Sequence, residues 1–194
     1  MEKIHSHVMK KLEGLSSHLT YHNVGHTLDV LKQCVVIAKE EGITSKEDLM
    51  LLQVSALYHD VGFLEAYDGH EERSCQIATK ELGKYGLTPD QIEKVCGMIR
   101  CTKIPQSPAN VLEKIICDAD LDYLGRPDFY TIGDGLFREF KHQGIIKNEL
   151  EWNQLQVRFL EKHHYYTKSC IDKREKVKQR HLEEVRMKTV DDGR

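Results

Sequence analysis

Apolar residues recur along this chain at three- and four-residue spacing, and strand-like alternation is scarce. Ile4, Val8 and Leu12 mark a first amphipathic helix that ends near Gly14. The segment HNVGHTLDVLKQCVVIAKEEG predicts a second, with Val24, Leu28, Leu31 and Val35 on one face and Gly42 as its stop. SKEDLMLLQVSALYHDVG predicts a third, with Ser45 as N-cap and Asp48 at the capping-box position. From Leu49 to Leu57 it is apolar around most of its circumference, which marks it as the central buried helix. A helix is predicted over 71–85, and the next opens with Thr88 as cap and Pro89 at its first position. After the break IPQSP come a helix ended by Gly125, the stretch RPDFYTIGDGLFREFKHQG, and a long helical stretch from Asn148. Its closing part, KREKVKQRHLEEVRMK, is charged nearly all round and is expected to project or fray. The pattern predicts an all-α fold of roughly seven to nine helices, one domain over 1–185 with a charged tail over 186–194.

Composition narrows the function. With 194 residues, 30% charged and 40% hydrophobic, the chain reads as globular and large enough to bury a core. A net charge of −3 argues against a nucleic-acid groove, which needs a basic excess. No stretch approaches the length of a membrane span, and no secretory leader opens the sequence. The six cysteines are dispersed without a CxxC pair, so they read as reduced core filler in a cytoplasmic protein.

Several polar residues stand where leucines belong. His59 and Asp60 end the most apolar helix, and Asp60 has Ala56 and Leu64 as its i±4 neighbours. Such surroundings do not keep a lone carboxylate ionised unless a cation offsets the penalty. The same dipeptide also reads as a core histidine followed by an aspartate capping the turn at Gly62. His22 and His26, at i and i+4 of the second helix, share a face, as paired metal-binding histidines do. Asn23 stands where a zincin motif has Glu, which excludes that class. In ICDADLDYLG, Asp120 lies against Ile116 and Leu124, whereas Asp118 shares a solvated face with Lys114 and Asp122. Asp120 is therefore the better inward ligand and Asp118 its rival. Imidazole and carboxylate together suit a divalent Mn, Fe, Co, Ni, Zn or Mg ion.

The ordered set His26, His59–Asp60, Asp120 resembles the HD-domain superfamily of metal-dependent phosphohydrolases, over residues from about 5 to 185. The leading YHNVGHTLDV is also similar to the corresponding stretch of class I cyclic-nucleotide phosphodiesterases. The resemblance implies a helical bundle in which His26, His59, Asp60 and Asp120 ligate the metal, with Asp60 also able to hold the attacking water. It implies that His22 protonates the leaving oxygen, that Asn23 helps to orient it, and that His70 contacts the phosphate. The substrate expected is a small phosphorylated molecule, a nucleotide or another phosphoester. The similarity to cyclic-nucleotide enzymes stops at the first motif, since HDVGFLEAYDG does not match their pattern. Di-metal members carry a histidine near the equivalent of Cys101–Thr102, and its absence here points to one metal per chain, or one tight and one weak. Two other readings accompany this one: an HD-type di-iron oxygenase, which wants more histidines, and a non-catalytic nucleotide-binding signalling domain. The roles of His163, His164 and Arg174, on the closing segment, are left open, as is the oligomeric state.

Overall fold

In a computed structural model, which describes residues 1–191, the predicted helices form, the long stretch from Asn148 as two helices, and no strand is present among the described residues. In chain order they are α1 (Glu2–Leu12), α2 (Val24–Glu40), α3 (Lys46–Tyr58), α4 (His70–Glu81), α5 (Pro89–Arg100), α6 (Val111–Asp120), α7 (Phe129–His142), α8 (Glu149–Lys162) and α9 (Lys168–Asp191). Three short 3-10 turns follow α3, α4 and α6. No helix among the described residues is long and apolar enough to cross a membrane. The chain divides into two compact units, one of Met1–Ser17 with His22–Asp120, the other of His18–Tyr21 with the chain from Leu121 onward.

In the first unit α3 is the central helix, packed by α1, α2, α5 and α6. It buries Leu51, Leu52, Val54, Ser55, Ala56, Leu57 and Tyr58, as its all-round apolar sequence predicts. The local signals hold: Ser45 caps α3, Thr88 and Gln91 close a capping box on α5, and Gly42 takes the positive φ that stops α2. The facing of α2 differs from the prediction. Leu28 and Val35 are about two-fifths exposed, and the buried face is Thr27, Val30, Gln33, Cys34, Ile37 and Ala38. The reason is angular: His26 and Leu28 lie about 200° apart on a helix, and the face that turns His26 inward continues through Val30, Gln33 and Ile37.

The second unit holds α7, α8 and α9 around Tyr21, Leu121, Tyr123, Leu124, Phe129, Leu160, Leu182 and Val185. Here α9 corrects the expectation of a projecting, all-round charged segment. It buries Cys170, Lys178, His181, Leu182 and Val185. Two of these are polar yet satisfied: Lys178 Nζ donates to the His163 carbonyl at 2.6 Å and pairs with Glu175 at 3.0 Å. His181 Nδ1 lies 2.9 Å from the Leu124 carbonyl, and its ring stacks on Phe129. Bonding, not composition, decides what α9 buries. The helix runs to Asp191, so the tail expected over 186–194 is helical that far and then leaves the described residues.

Candidate metal centre

Four helix ends of the first unit deliver the candidate ligands. His26 stands in the first turn of α2, whose N-cap Asn23 is extended and accepts from the Gly25 and His26 amides at 2.8 and 3.3 Å. His59 is the C-cap of α3, and Asp60 follows as the chain leaves the helix. That departure lets two adjacent residues, about 100° apart on a helix, face one point. Asp120 is the last residue of α6, and His70 the first of α4.

Gly62 and Ser74 hold the turn after Asp60. Ser74 Oγ donates to the His59 carbonyl at 2.6 Å and accepts from the Gly62 amide at 2.9 Å. A Cβ on Gly62 would fall 1.9 Å from the His70 carbonyl oxygen, so only glycine lets α4 pass this close.

At the cluster, His26 Nε2 lies 3.3 Å from His59 Nε2, 3.4 Å from Asp60 Oδ2 and 3.1 Å from Asp120 Oδ1. His59 Nε2 lies 3.2 Å from Asp60 Oδ2 and 3.6 Å from Asp120 Oδ1. The His59 and Asp60 side chains are almost wholly buried, and Asp120 is 15% exposed. The second ring nitrogen of His59 meets the Ala56 carbonyl at 2.8 Å, which orients the ring and turns Nε2 on the cluster. Asp60 Oδ2 has no hydrogen-bond donor despite its burial. The Asp60 side chain makes no cap bond to the following turn, so the capping explanation of this aspartate fails.

Electrostatics agree. Burial works to lower the His59 pKa, but the Asp60 charge and hydrogen bonding to Asp120 hold it well above the usual histidine range. Burial works to raise the pKa of both carboxylates. Asp60 is nevertheless held far below the ordinary range by the charge of His59, and Asp120 by hydrogen bonds from His26 and His59. A proton between these groups balances two buried carboxylates, and a divalent cation bound there displaces it. Three of the donors, His26, His59 and Asp60, lie within 4.8 Å of one another, and an N/O donor set of this kind fits a borderline or hard divalent ion.

The other expected site residues fall as follows. His22 precedes the N-cap of α2, so it and His26 do not share a helix face as their spacing suggests; Asn23 starts the helix after it. Its ring stacks on Phe63 at 4.3 Å and lies 5.9 Å from His26 and 6.0 Å from His70. His70 stacks on Phe63 at 3.9 Å and turns Nε2 toward Asp60 Oδ1 at 3.5 Å. Burial lowers its pKa despite the Asp60 and Glu71 carboxylates. Asn23 spends its side-chain oxygen on the helix start. Asp118 is fully buried, not solvated, because the whole C-terminal half of α6 is enclosed; the acid brought to the histidines is Asp120. Arg174 binds the buried Asp122 through two bonds of 2.7 and 3.1 Å in the second unit. Nearby in that unit, His163 carries the Lys178 bond and His164 packs its ring against Tyr166. Phe63 and Ser74 are the neighbours that sequence reasoning left out of the site. The GF pair two residues after Asp60 was the available sign of a close backbone approach with an aromatic beside it.

No curated protein matches this chain. A crystal structure of a predicted HD superfamily hydrolase from an uncultured Thermotogales bacterium has the same fold. The TM-score is 0.62 at 18% identity, covering 97% of this chain and 92% of that one. Residues 23–122 match the HD domain, a span that takes in α2 through α6 and every candidate ligand. That match extends over more than half of the sequence, and the chain belongs to the HD domain family.

Proposed function

We propose that this protein is a metal-dependent phosphohydrolase acting on a small phosphorylated molecule, a nucleotide or another phosphoester. The observation that carries the reading is the buried, donorless Asp60 Oδ2 facing the Nε2 atoms of His26 and His59, with Asp120 Oδ1 beside them. His26, His59, Asp60 and Asp120 would hold one divalent ion per chain. When bound, it supplies a Lewis acid for the phosphoryl oxygens and lowers the pKa of water into the neutral range.

The chain's own residues do the rest. Asp60 is the carboxylate placed to hold the attacking water by a hydrogen bond while it ligates the ion. His22, its ring seated on Phe63 at 4.3 Å, is the acid that protonates the departing oxygen. His70, on the same aromatic support, is placed to contact the phosphoryl group through Nε2. Asn23 orients His22 indirectly, by fixing where α2 begins.

The test is a panel of nucleoside monophosphates, cyclic nucleotides and p-nitrophenyl phosphates assayed with Mn, Co, Ni or Mg. The comparison is wild type against Asp60→Ala and His22→Ala. Hydrolysis by wild type is expected to vanish in the first variant. In the second it should fall by about 10²–10⁴-fold while metal is retained. Equal turnover in wild type and Asp60→Ala would place the chemistry elsewhere.

A further inference from the structure

Outside the histidine and aspartate cluster, the first unit brings two thiols into contact. Cys101 caps the C-terminal end of α5, and Cys117 lies on α6 one turn before Asp120. Their sulfurs are 3.4 Å apart. Cys117 Sγ also lies 3.2 Å from the Cys101 carbonyl, and Cys101 Sγ lies 3.1 Å from the Met98 carbonyl. Both side chains are buried, Cys101 at 4% exposure and Cys117 at 0%. Hydrolysis as proposed above uses neither.

We propose that Cys101 and Cys117 form an oxidisable dithiol, a modification site that a small hydroperoxide closes to a disulfide. Bridging needs the sulfurs to approach to about 2.05 Å. Cys101 is well placed to make that move, because it sits where the backbone leaves α5 for the non-helical segment 102–110. The two thiols have separate parts. Cys101 keeps the residual access to solvent, and the reagent is close to water in size. Cys117 is sealed, and its hydrogen bond to Cys101 together with burial holds it as the protonated thiol.

In the first step the Cys101 sulfur attacks the terminal peroxide oxygen. The O–O bond breaks, an alcohol or water leaves, and Cys101 becomes a sulfenic acid. In the second the Cys117 sulfur attacks the Cys101 sulfur. The S–S bond forms, the S–O bond breaks, and water leaves with the Cys117 proton. Two thiols lose two electrons and the hydroperoxide gains them. The bridge ties the end of α5 to the helix that carries Asp120.

Cys75 and Cys96 are the internal comparison: each directs its sulfur at the other's main-chain carbonyl, at 3.5 and 3.7 Å. The experiment treats the reduced full chain with hydrogen peroxide, quenches with catalase, blocks remaining thiols with N-ethylmaleimide and maps peptides by mass spectrometry. Two of the six thiols should escape alkylation. Before alkylation the mass should fall by about 2 Da, and the Cys101 and Cys117 peptides should be joined by a bond that dithiothreitol reverses. In Cys117→Ala, Cys101 should be trapped by dimedone as the sulfenic acid. Full alkylation of all six thiols after peroxide overturns the proposal, as does a bridge joining Cys75 to Cys96 or any other pair. The readout needs neither metal nor turnover, so it stands or falls separately from the hydrolase reading.

Discussion

Replacing Gly62 by alanine puts a methyl group where two backbone segments meet. The new Cβ would lie 1.9 Å from the His70 carbonyl oxygen and 2.8 Å from both the His70 carbonyl carbon and the Ser74 nitrogen. All three are backbone atoms, so no side-chain rotation relieves the clash. Reaching even the 3.0 Å floor for real Cβ contacts requires the turn after Asp60 and the start of α4 to part by about 1.1 Å. That movement breaks the Ser74 bridge between the Gly62 amide and the His59 carbonyl. It also draws His70 away from Asp60 Oδ1, now at 3.5 Å. Overpacking of this kind costs about 3 kcal/mol, and loss of the buried hydroxyl bridge adds about 1 kcal/mol. The sum of about 4 kcal/mol corresponds to a thermal midpoint lower by about 8–16 °C for a chain of this length. Circular dichroism melts of Gly62→Ala against wild type measure it. Gly83→Ala is the control, since its Cβ meets nothing within 4 Å and the change should stay within about 1 kcal/mol. A Gly62→Ala protein that melts within about 2 °C of wild type would refute the close apposition of α4 and the HD turn.

Three further outcomes are expected. Glu81 accepts from His7 at 2.9 Å and Tyr58 at 3.1 Å and pairs with Lys11 at 3.0 Å; although burial works the other way, these partners hold its pKa below the ordinary range. Stability from this clamp is therefore present above the unfolded value of about 4.3 and lost as pH falls through the lower folded value. Urea midpoints of Glu81→Gln should be reduced at pH 7 and flatter than wild type on the acid side; parallel curves would remove the clamp from the account. Asn23→Ala should cost about 1 kcal/mol and weaken metal binding by loosening the turn that carries His26, whereas Asn23→Ser should restore both; a variant matching wild type in melting and metal titration contradicts the capping role. Saturating Mn at about 100 times its dissociation constant should add about 2.7 kcal/mol, a rise of about 5–11 °C, absent in Asp60→Asn. An equal rise in both proteins would move the ion elsewhere.

Much of this was legible in the sequence because helix period, caps and glycine stops are local signals. Ser45, Thr88, Pro89 and Gly42 act where they were read, and the apolar run from Leu49 to Leu57 is the buried centre. What the pattern misplaced were facings that tertiary contacts decide. On α2 the apolar stripe through Leu28 and Val35 competes with the stripe that carries His26, and the second wins. Along α9, Lys178 and His181 look like solvent residues until their carbonyl partners at His163 and Leu124 are known. Asp118 and Asp120 differ by two positions in one acidic run, and only the helix end separates the enclosed acid from the one beside the histidines. Phe63 had only its place beside Gly62 as a signal, since support for His22 and His70 exists only once three segments have met.

The central claim is that the HD cluster holds a divalent ion. Elemental analysis of untagged protein purified without chelator, as wild type and as Asp60→Ala, tests it most directly. The account predicts about one transition metal per chain in the first and none in the second, with the fold of both intact by circular dichroism. Two irons per chain would favour the oxygenase reading over hydrolysis. No metal in wild type, and none taken up from Mn, Co, Ni or Mg, would contradict the account.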